Sequence, residues 1–159
     1  MARKQKTAGC ASAYDTALSF LTPKARTQRE IELKLDEGCY SEGEIMQTVD
    51  RLKEAGLLDD EKYARDFIDS RLSSKPVSRF RLREQLRAHH VPEEIIREAL
   101  DEVEPGTEFE NAVAVVKKFA RQFEGMEDEE KKRRLIYTRL QTRGFSHDTI
   151  TAAMNEADE

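Results

Sequence analysis

Tryptophan is absent from this chain, and 159 residues hold only seven glycines and four prolines. So few breakers favour helix. β-branched clusters are nearly missing as well, apart from "AVAVV" at Ala112 to Val116. No apolar run approaches the roughly 18–20 residues that a membrane-spanning helix requires. The opening "MARKQKTAGC" is basic, but no apolar core of a secretory signal follows it. The two cysteines, Cys10 and Cys39, form neither a CxxC nor a zinc-ligand spacing and read as reduced thiols. His89 and His90 are adjacent, whereas two metal ligands on one helical face need i, i+4 spacing. The motifs GxxxxGK, GxGxxG, HExxH and GxSxG do not occur. These absences lead us to expect a soluble, cytoplasmic protein with no cofactor, no metal and no evident seat for catalysis.

What is present is charge and helix-forming residues. Charged side chains make up 37% of the chain and hydrophobic ones 38%, with Glu, Lys, Arg, Leu and Ala prominent. The pattern repeats three times. "REIELKLDEGCYSEGEIMQTV" (29–49), "RLREQLRAHHVPEEIIREAL" (81–100) and "IYTRLQTRGFSHDTITAAM" (136–154) superimpose without a gap when Leu35, Leu86 and Leu140 are aligned. Ile31, Leu82 and Ile136 then coincide, as do Tyr40, Val91 and Phe145, and Ile45, Ile96 and Ile150. Ser41, Pro92 and Ser146 share one column and read as helix starts. Gly38 and Gly144 are expected to supply the permissive backbone of the preceding turn in two of the copies. Upstream, "YDTALSFL", "YARDFIDSRL" and "NAVAVVKKFARQF" each carry an apolar stripe and read as a further helix per copy. The expected fold is all-α: a basic flexible N-terminus at 1–11, then three-helix modules at 12–58, 59–105 and 106–159. Leu35, Leu86 and Leu140 are expected to be equivalent core residues. A single module of this size is marginal alone, so neighbours should pack together.

Asp59, Asp60 and Glu61 form an acidic group that could hold a metal or move protons. Their position after Gly56, Leu57 and Leu58, ahead of Tyr63, Phe67 and Ile68, suits a helix start better. Asp59 is then the N-cap, with Asp60 and Glu61 in a first turn where the helix dipole favours negative charge. A catalytic or metal role would need a third ligand or a nucleophile, and no candidate accompanies the pair.

The net charge is −5, but it is distributed in blocks. Residues 71–90 hold six basic and one acidic side chain, and residues 131–145 hold six basic and none acidic. Both blocks fall on the second helix of a module. Arg79, Arg83 and Arg87 recur at i, i+4 and i+8, on a different face from Leu82 and Leu86. Lys132, Arg133, Arg139 and Arg143 occupy the corresponding block of the third module. Two basic blocks at equivalent repeat positions read as a binding surface for phosphates or an acidic protein face. The aromatic residues mostly recur at core spacing. Phe80, between Arg79 and Arg81, is the one candidate for a base-stacking residue but reads as a core or module-interface residue.

"LKEAGLLDDEKYARDFIDSRL", "REIELKLDEGCYSEGEI" and the threefold repetition resemble the RecX regulators of the bacterial recombinase RecA. The resemblance covers about Ala13 to Ala157 and is weakest in the third module. It implies tandem three-helix, helix-turn-helix-like modules in a curved, elongated array, and a non-enzymatic protein. It also implies that the partners are RecA and RecA–single-stranded DNA filaments. RecA's ATP hydrolysis and strand exchange would be inhibited, in the regulation of DNA repair, recombination and the SOS response. On that resemblance the seven basic residues above are the expected filament- or DNA-binding face of a monomer. The acidic net charge argues against strong binding to DNA alone. The alternative is a helix-turn-helix-like protein acting on duplex DNA, but the basic helices carry no evident base-reading set of Asn or Gln. A hydrolase using Asp59 and Asp60 ranks third.

Overall fold

A computed structural model describes residues 11–159, so all but one residue of the basic N-terminus, with Cys10, lie outside the described residues. The described residues contain nine helices and no strand. The first module comprises α1 (Ala13–Leu21), α2 (Gln28–Glu37) and α3 (Glu42–Glu54). The second comprises α4 (Asp60–Ser74), α5 (Arg79–Ala88) and α6 (Glu93–Asp101), and the third α7 (Thr107–Gln122), α8 (Glu129–Thr142) and α9 (His147–Asp158). No helix among the described residues is long and apolar enough to cross a membrane.

Side chains placed by the sequence at the helix starts satisfy the orphan N–H groups there. Ser12, Thr27, Ser41, Asp128 and Ser146 each accept a hydrogen bond from the backbone N–H three residues on. Thr27 with Glu30, and Ser41 with Glu44, complete reciprocal capping boxes. Pro92 stands at the cap of α6 rather than within its first turn, and Ile96 N–H donates to its carbonyl at 3.0 Å.

The second helix of each module ends in the same way. The N–H groups of Tyr40, Val91 and Phe145 donate to the carbonyls of Leu35, Leu86 and Leu140 at 3.2, 3.1 and 3.3 Å. Cys39, His90 and Gly144 donate to Asp36, Arg87 and Gln141. This pair of bonds is the Schellman termination, in which the residue just past the cap turns left-handed. That residue is Cys39 (φ 62°), His90 (φ 60°) or Gly144 (φ 85°). In the first module the left-handed position is therefore Cys39, one residue beyond the expected Gly38, whose φ is −75°. Gly38 is small for another reason: a Cβ there would stand 2.8 Å from the Tyr40 ring.

Leu35, Leu86 and Leu140 are all 0% exposed. Ala13, Ala17, Ile31, Leu35, Tyr40, Val49, Leu52 and Leu58 form one core cluster. A second gathers apolar residues of α7, α8, α9 and the turn between α8 and α9, including Val115, Val116, Phe119, Ile136, Leu140, Phe145 and Ile150. Ile68, Leu82, Leu86, Ile96 and Leu100 are the most deeply buried large apolar residues of the second module.

By packing, the chain forms two compact units whose boundary cuts through the second module. One holds the chain up to Arg65 with Leu86–Ile96, and the other holds Asp66–Gln85 with Arg97–Glu159. Inside the first unit, the Thr27 hydroxyl that caps α2 donates to the His89 carbonyl at 2.7 Å. Glu30 Oε2 lies 3.6 Å from His89 Nδ1, and the Tyr63 ring rests against the His89 ring. Inside the second unit, Ser78 caps α5 and its N–H donates to the Arg143 carbonyl at 3.0 Å. A second-helix cap thus meets a following second-helix turn twice, once in each unit.

Candidate functional site

Ser78 is the anchor of the candidate site. It is 1% exposed and uses all three of its polar groups. Its Oγ accepts from Arg81 N–H at 3.0 Å, its carbonyl accepts from Leu82 N–H at 2.9 Å, and its N–H reaches Arg143. Gly144 lets the two helices come this close. A Cβ on Gly144 would stand 2.5 Å from Ser78 Oγ and 2.9 Å from Arg81 Cβ. Arg81 spans the junction, with Nη2 donating to the Thr142 carbonyl at 3.3 Å and Nη1 to Glu84 at 3.0 Å.

The start of α5 and the end of α8, which carry parts of the two basic blocks about one repeat apart, thereby meet within the second unit. The start of α5 contributes Arg79, Arg81 and Arg83, and the end of α8 contributes Arg139 and Arg143. Arg79 makes a long ion pair with Asp101 at 3.6 Å, and Arg83 is half-buried and engaged. The guanidinium groups of Arg139 and Arg143 lie over the Phe119 ring, 5.5 and 5.1 Å from its centre. Arg143 also donates to the Arg139 carbonyl at 3.2 Å. Burial, and then the charge of Arg139, press the pKa of Arg143 below its ordinary value. The buried Nε atoms of Arg81 and Arg143 have no protein acceptor. An anion arriving here would meet fixed guanidinium groups that bear incompletely used donors.

Of the seven basic residues expected from the sequence, Arg139 and Arg143 stand together over Phe119 at this junction, and Arg79 and Arg83 lie on the helix that Ser78 caps, with Arg79 turned to Asp101. The other three are placed differently. Arg87 belongs to the first unit and is held in a two-pronged pair with Glu93, at 2.7 and 2.8 Å. Lys132 is partly buried beside Glu129 at 3.7 Å. Arg133 is paired with Asp158 at 2.7 Å, near the start of α8. The expected open stripe of Arg79, Arg83 and Arg87 is therefore two half-buried arginines and one exposed but paired one. The i, i+4 count placed them on one side of a helix but could not show which acids fold back onto them.

The sequence reading missed Arg81 and misread Phe80. Arg81 was not singled out, although Ser78 and Gly144 together locate it. Phe80 is 60% exposed, so its reading as a core or interface residue is corrected. The signal was available: Phe80 precedes Leu82 by two residues, which is about 200° around the helix, away from the buried stripe.

Both acids of the Asp59–Asp60 pair are taken up by helix starts. Lys62 N–H donates to Asp59 Oδ1 at 3.1 Å, within the cap of α4. Gln28 N–H, in the first turn of α2, donates to Asp60 Oδ1 at 2.9 Å. Burial raises the pKa of Asp60, partly offset by that hydrogen bond. Among the described residues, no group of three or more His, Cys, Asp or Glu could hold a metal ion. Cys39 is exposed and free.

Known proteins share this architecture throughout. Models of the first, second and third three-helix domains of RecX match residues 13–52, 59–100 and 107–154. The regulatory protein RecX of Prosthecochloris aestuarii is 33% identical over 144 residues, covering 91% of this chain and 92% of that protein. The regulatory protein RecX of a Mycobacterium species (strain JLS) is 33% identical over 138 residues, covering 84% of this chain and 75% of that one. The crystal structure of RecX from Lactobacillus salivarius superimposes with a TM-score of 0.76 at 25% identity, covering 92% of this chain and 94% of the other. Three consecutive domain matches and relatives aligned over nearly the whole length lead to one conclusion: this chain belongs to the RecX family of regulatory proteins.

Proposed function

We propose that the protein binds RecA and RecA–single-stranded DNA filaments and lowers RecA's ATP hydrolysis and strand exchange. It would act as a monomeric, non-enzymatic regulator of DNA repair and recombination in the cytoplasm. The observation that carries this reading is the junction at Ser78, Arg143 and Gly144. It joins the start of one basic helix, which carries Arg79, Arg81 and Arg83, to the end of the other, which carries Arg139 and Arg143, on a chain whose net charge is −5. A regulator with this balance is repelled by phosphates where its acidic blocks lie and attracted where its basic ones do, which orients it on a nucleoprotein filament. Family membership supports the regulatory role.

The test is inhibition of RecA's ATPase on single-stranded DNA by the double variant Arg79→Glu/Arg139→Glu. Both positions are helical and at least partly exposed, so the circular dichroism of the variant should match the parent. Inhibition should weaken, and what remains should fall with salt, because surface charges are screened within about 8–10 Å. Arg87→Glu, outside the patch, should do less harm. A double variant that folds and inhibits as well as the parent would remove the patch as the filament contact.

A further inference from the structure

Phe80 is unusual for a residue of its type. It is 60% exposed, on the first turn of α5, with Arg79 and Arg81 on either side and Arg83 one turn further. A bare phenyl ring among arginines has no use for an aqueous anion alone, and exposing it costs hydrophobic free energy. The other aromatic ring at the patch is committed: Phe119 is buried under Arg139 and Arg143. Phe80 is the ring left facing solvent. The acid nearest to it along the helix, Glu84, is already held by Arg81 at 3.0 Å. The α5 start is further fixed by the Ser78–Arg143 hydrogen bond, so the ring is presented on a rigid element.

A phosphate-rich partner that also offers unpaired flat apolar faces fits both features. Single-stranded DNA does so, because every base has a π-face and its backbone carries one charge per nucleotide. A duplex keeps its bases stacked on each other and offers the phosphates alone. We infer that Phe80 is a base-stacking residue through which this chain contacts single-stranded DNA directly, with Arg79, Arg81 and Arg83 on the flanking phosphates. The inference rests on the proposed function for the location of the surface, and adds which strand state is recognised and by which side chain.

The chain has no tryptophan, so Phe80→Trp introduces a single indole at the position in question. The full-length variant is titrated with a fluorescein-labelled oligothymidylate of about twenty nucleotides, and separately with a duplex of the same length. Anisotropy reports binding, and tryptophan emission reports stacking. Binding of the single strand should quench the emission, while binding of the duplex should leave it nearly unchanged. Phe80→Ala and Phe80→Leu should each weaken single-strand binding about 5- to 100-fold. The dependence of affinity on salt should stay as in the parent, since no charge is removed. The inference is overturned if the parent does not bind the oligonucleotide at low salt. It is also overturned if the indole emission of Phe80→Trp is indifferent to bound single strand, or if Phe80→Ala binds as the parent does. RecA ATPase inhibition is measured on the same variants. Lost inhibition with oligonucleotide binding intact would make Phe80 a contact to the recombinase itself, ending the stacking assignment and leaving the proposed function standing.

Discussion

The Thr27–His89 junction in the first unit and the Ser78–Arg143 junction in the second are built to one plan but filled with different chemistry. In each, a buried hydroxyl residue caps a second helix and reaches the Schellman turn of another. At the first junction the reaching group is the Thr27 side chain, and the surroundings are Glu30, Asp60, Tyr63 and His89. At the second the reaching group is the Ser78 backbone N–H, and the surroundings are Arg81, Arg139 and Arg143. The first pairs its polar groups internally: an acid meets a histidine, and a carboxylate meets a helix N-terminus. The second places guanidinium groups side by side and leaves two Nε atoms without acceptors. Self-repelling charge at a joint is not needed to make the joint, because the first does without it. The arginines of the second are therefore the feature that calls for a function.

The leucines that root the two turns should give the largest effects. Leu86 and Leu140 are both 0% exposed and accept equivalent hydrogen bonds. Alanine at either should cost about 2–5 kcal/mol in urea unfolding. A near-neutral result at one of them would break the equivalence of the turns.

The left-handed residues sharpen the contrast. Gly144→Ala meets both a positive φ, worth about 1–2 kcal/mol for an L-residue, and the crowding by Ser78 and Arg81. It should destabilise by about 2 kcal/mol or more and also weaken RecA inhibition, since Arg81 must move. His90→Gly at the first junction relieves the same backbone cost and should be neutral or stabilising by up to about 1 kcal/mol. Equal losses in thermal unfolding at both sites would mean that close approach is not what singles out Gly144.

The caps should show the smallest difference. Thr27→Ala removes both a cap and the hydroxyl that reaches His89, and should cost about 1–3 kcal/mol. Ser78→Ala removes a cap but leaves the N–H that reaches Arg143, and should cost about 0.5–2 kcal/mol. Reversal of that order in chemical denaturation would show that the junctions are held by other groups.

Much of this was legible in the residues. The gapless repeat placed Leu35, Leu86 and Leu140 in one structural role. Ser41 and Ser146 marked helix starts, and Asp59 stood where a cap belongs. These are local matters, decided within one turn of helix by backbone hydrogen bonding and by apolar period. Cys39 shows the limit even there. Glycine was the obvious occupant of the left-handed position, yet Gly38 stands beside it, kept small by the Tyr40 ring.

The sequence by itself determined the helical modules, their number and the two basic blocks, because capping, periodicity and charge composition act between residues near in the chain. Tertiary structure alone decided which arginines stand at the second junction. Ser78 and Gly144 bring Arg81 to Arg143, Glu93 withdraws Arg87, and Asp158 withdraws Arg133. Phe80 is left in solvent by the direction in which α5 turns its buried face. The pairing of charges depends on distances of a few ångströms between segments far apart in sequence. Coulombic and hydrogen-bond energies fall so steeply over that range that no count of basic residues could have foreseen it.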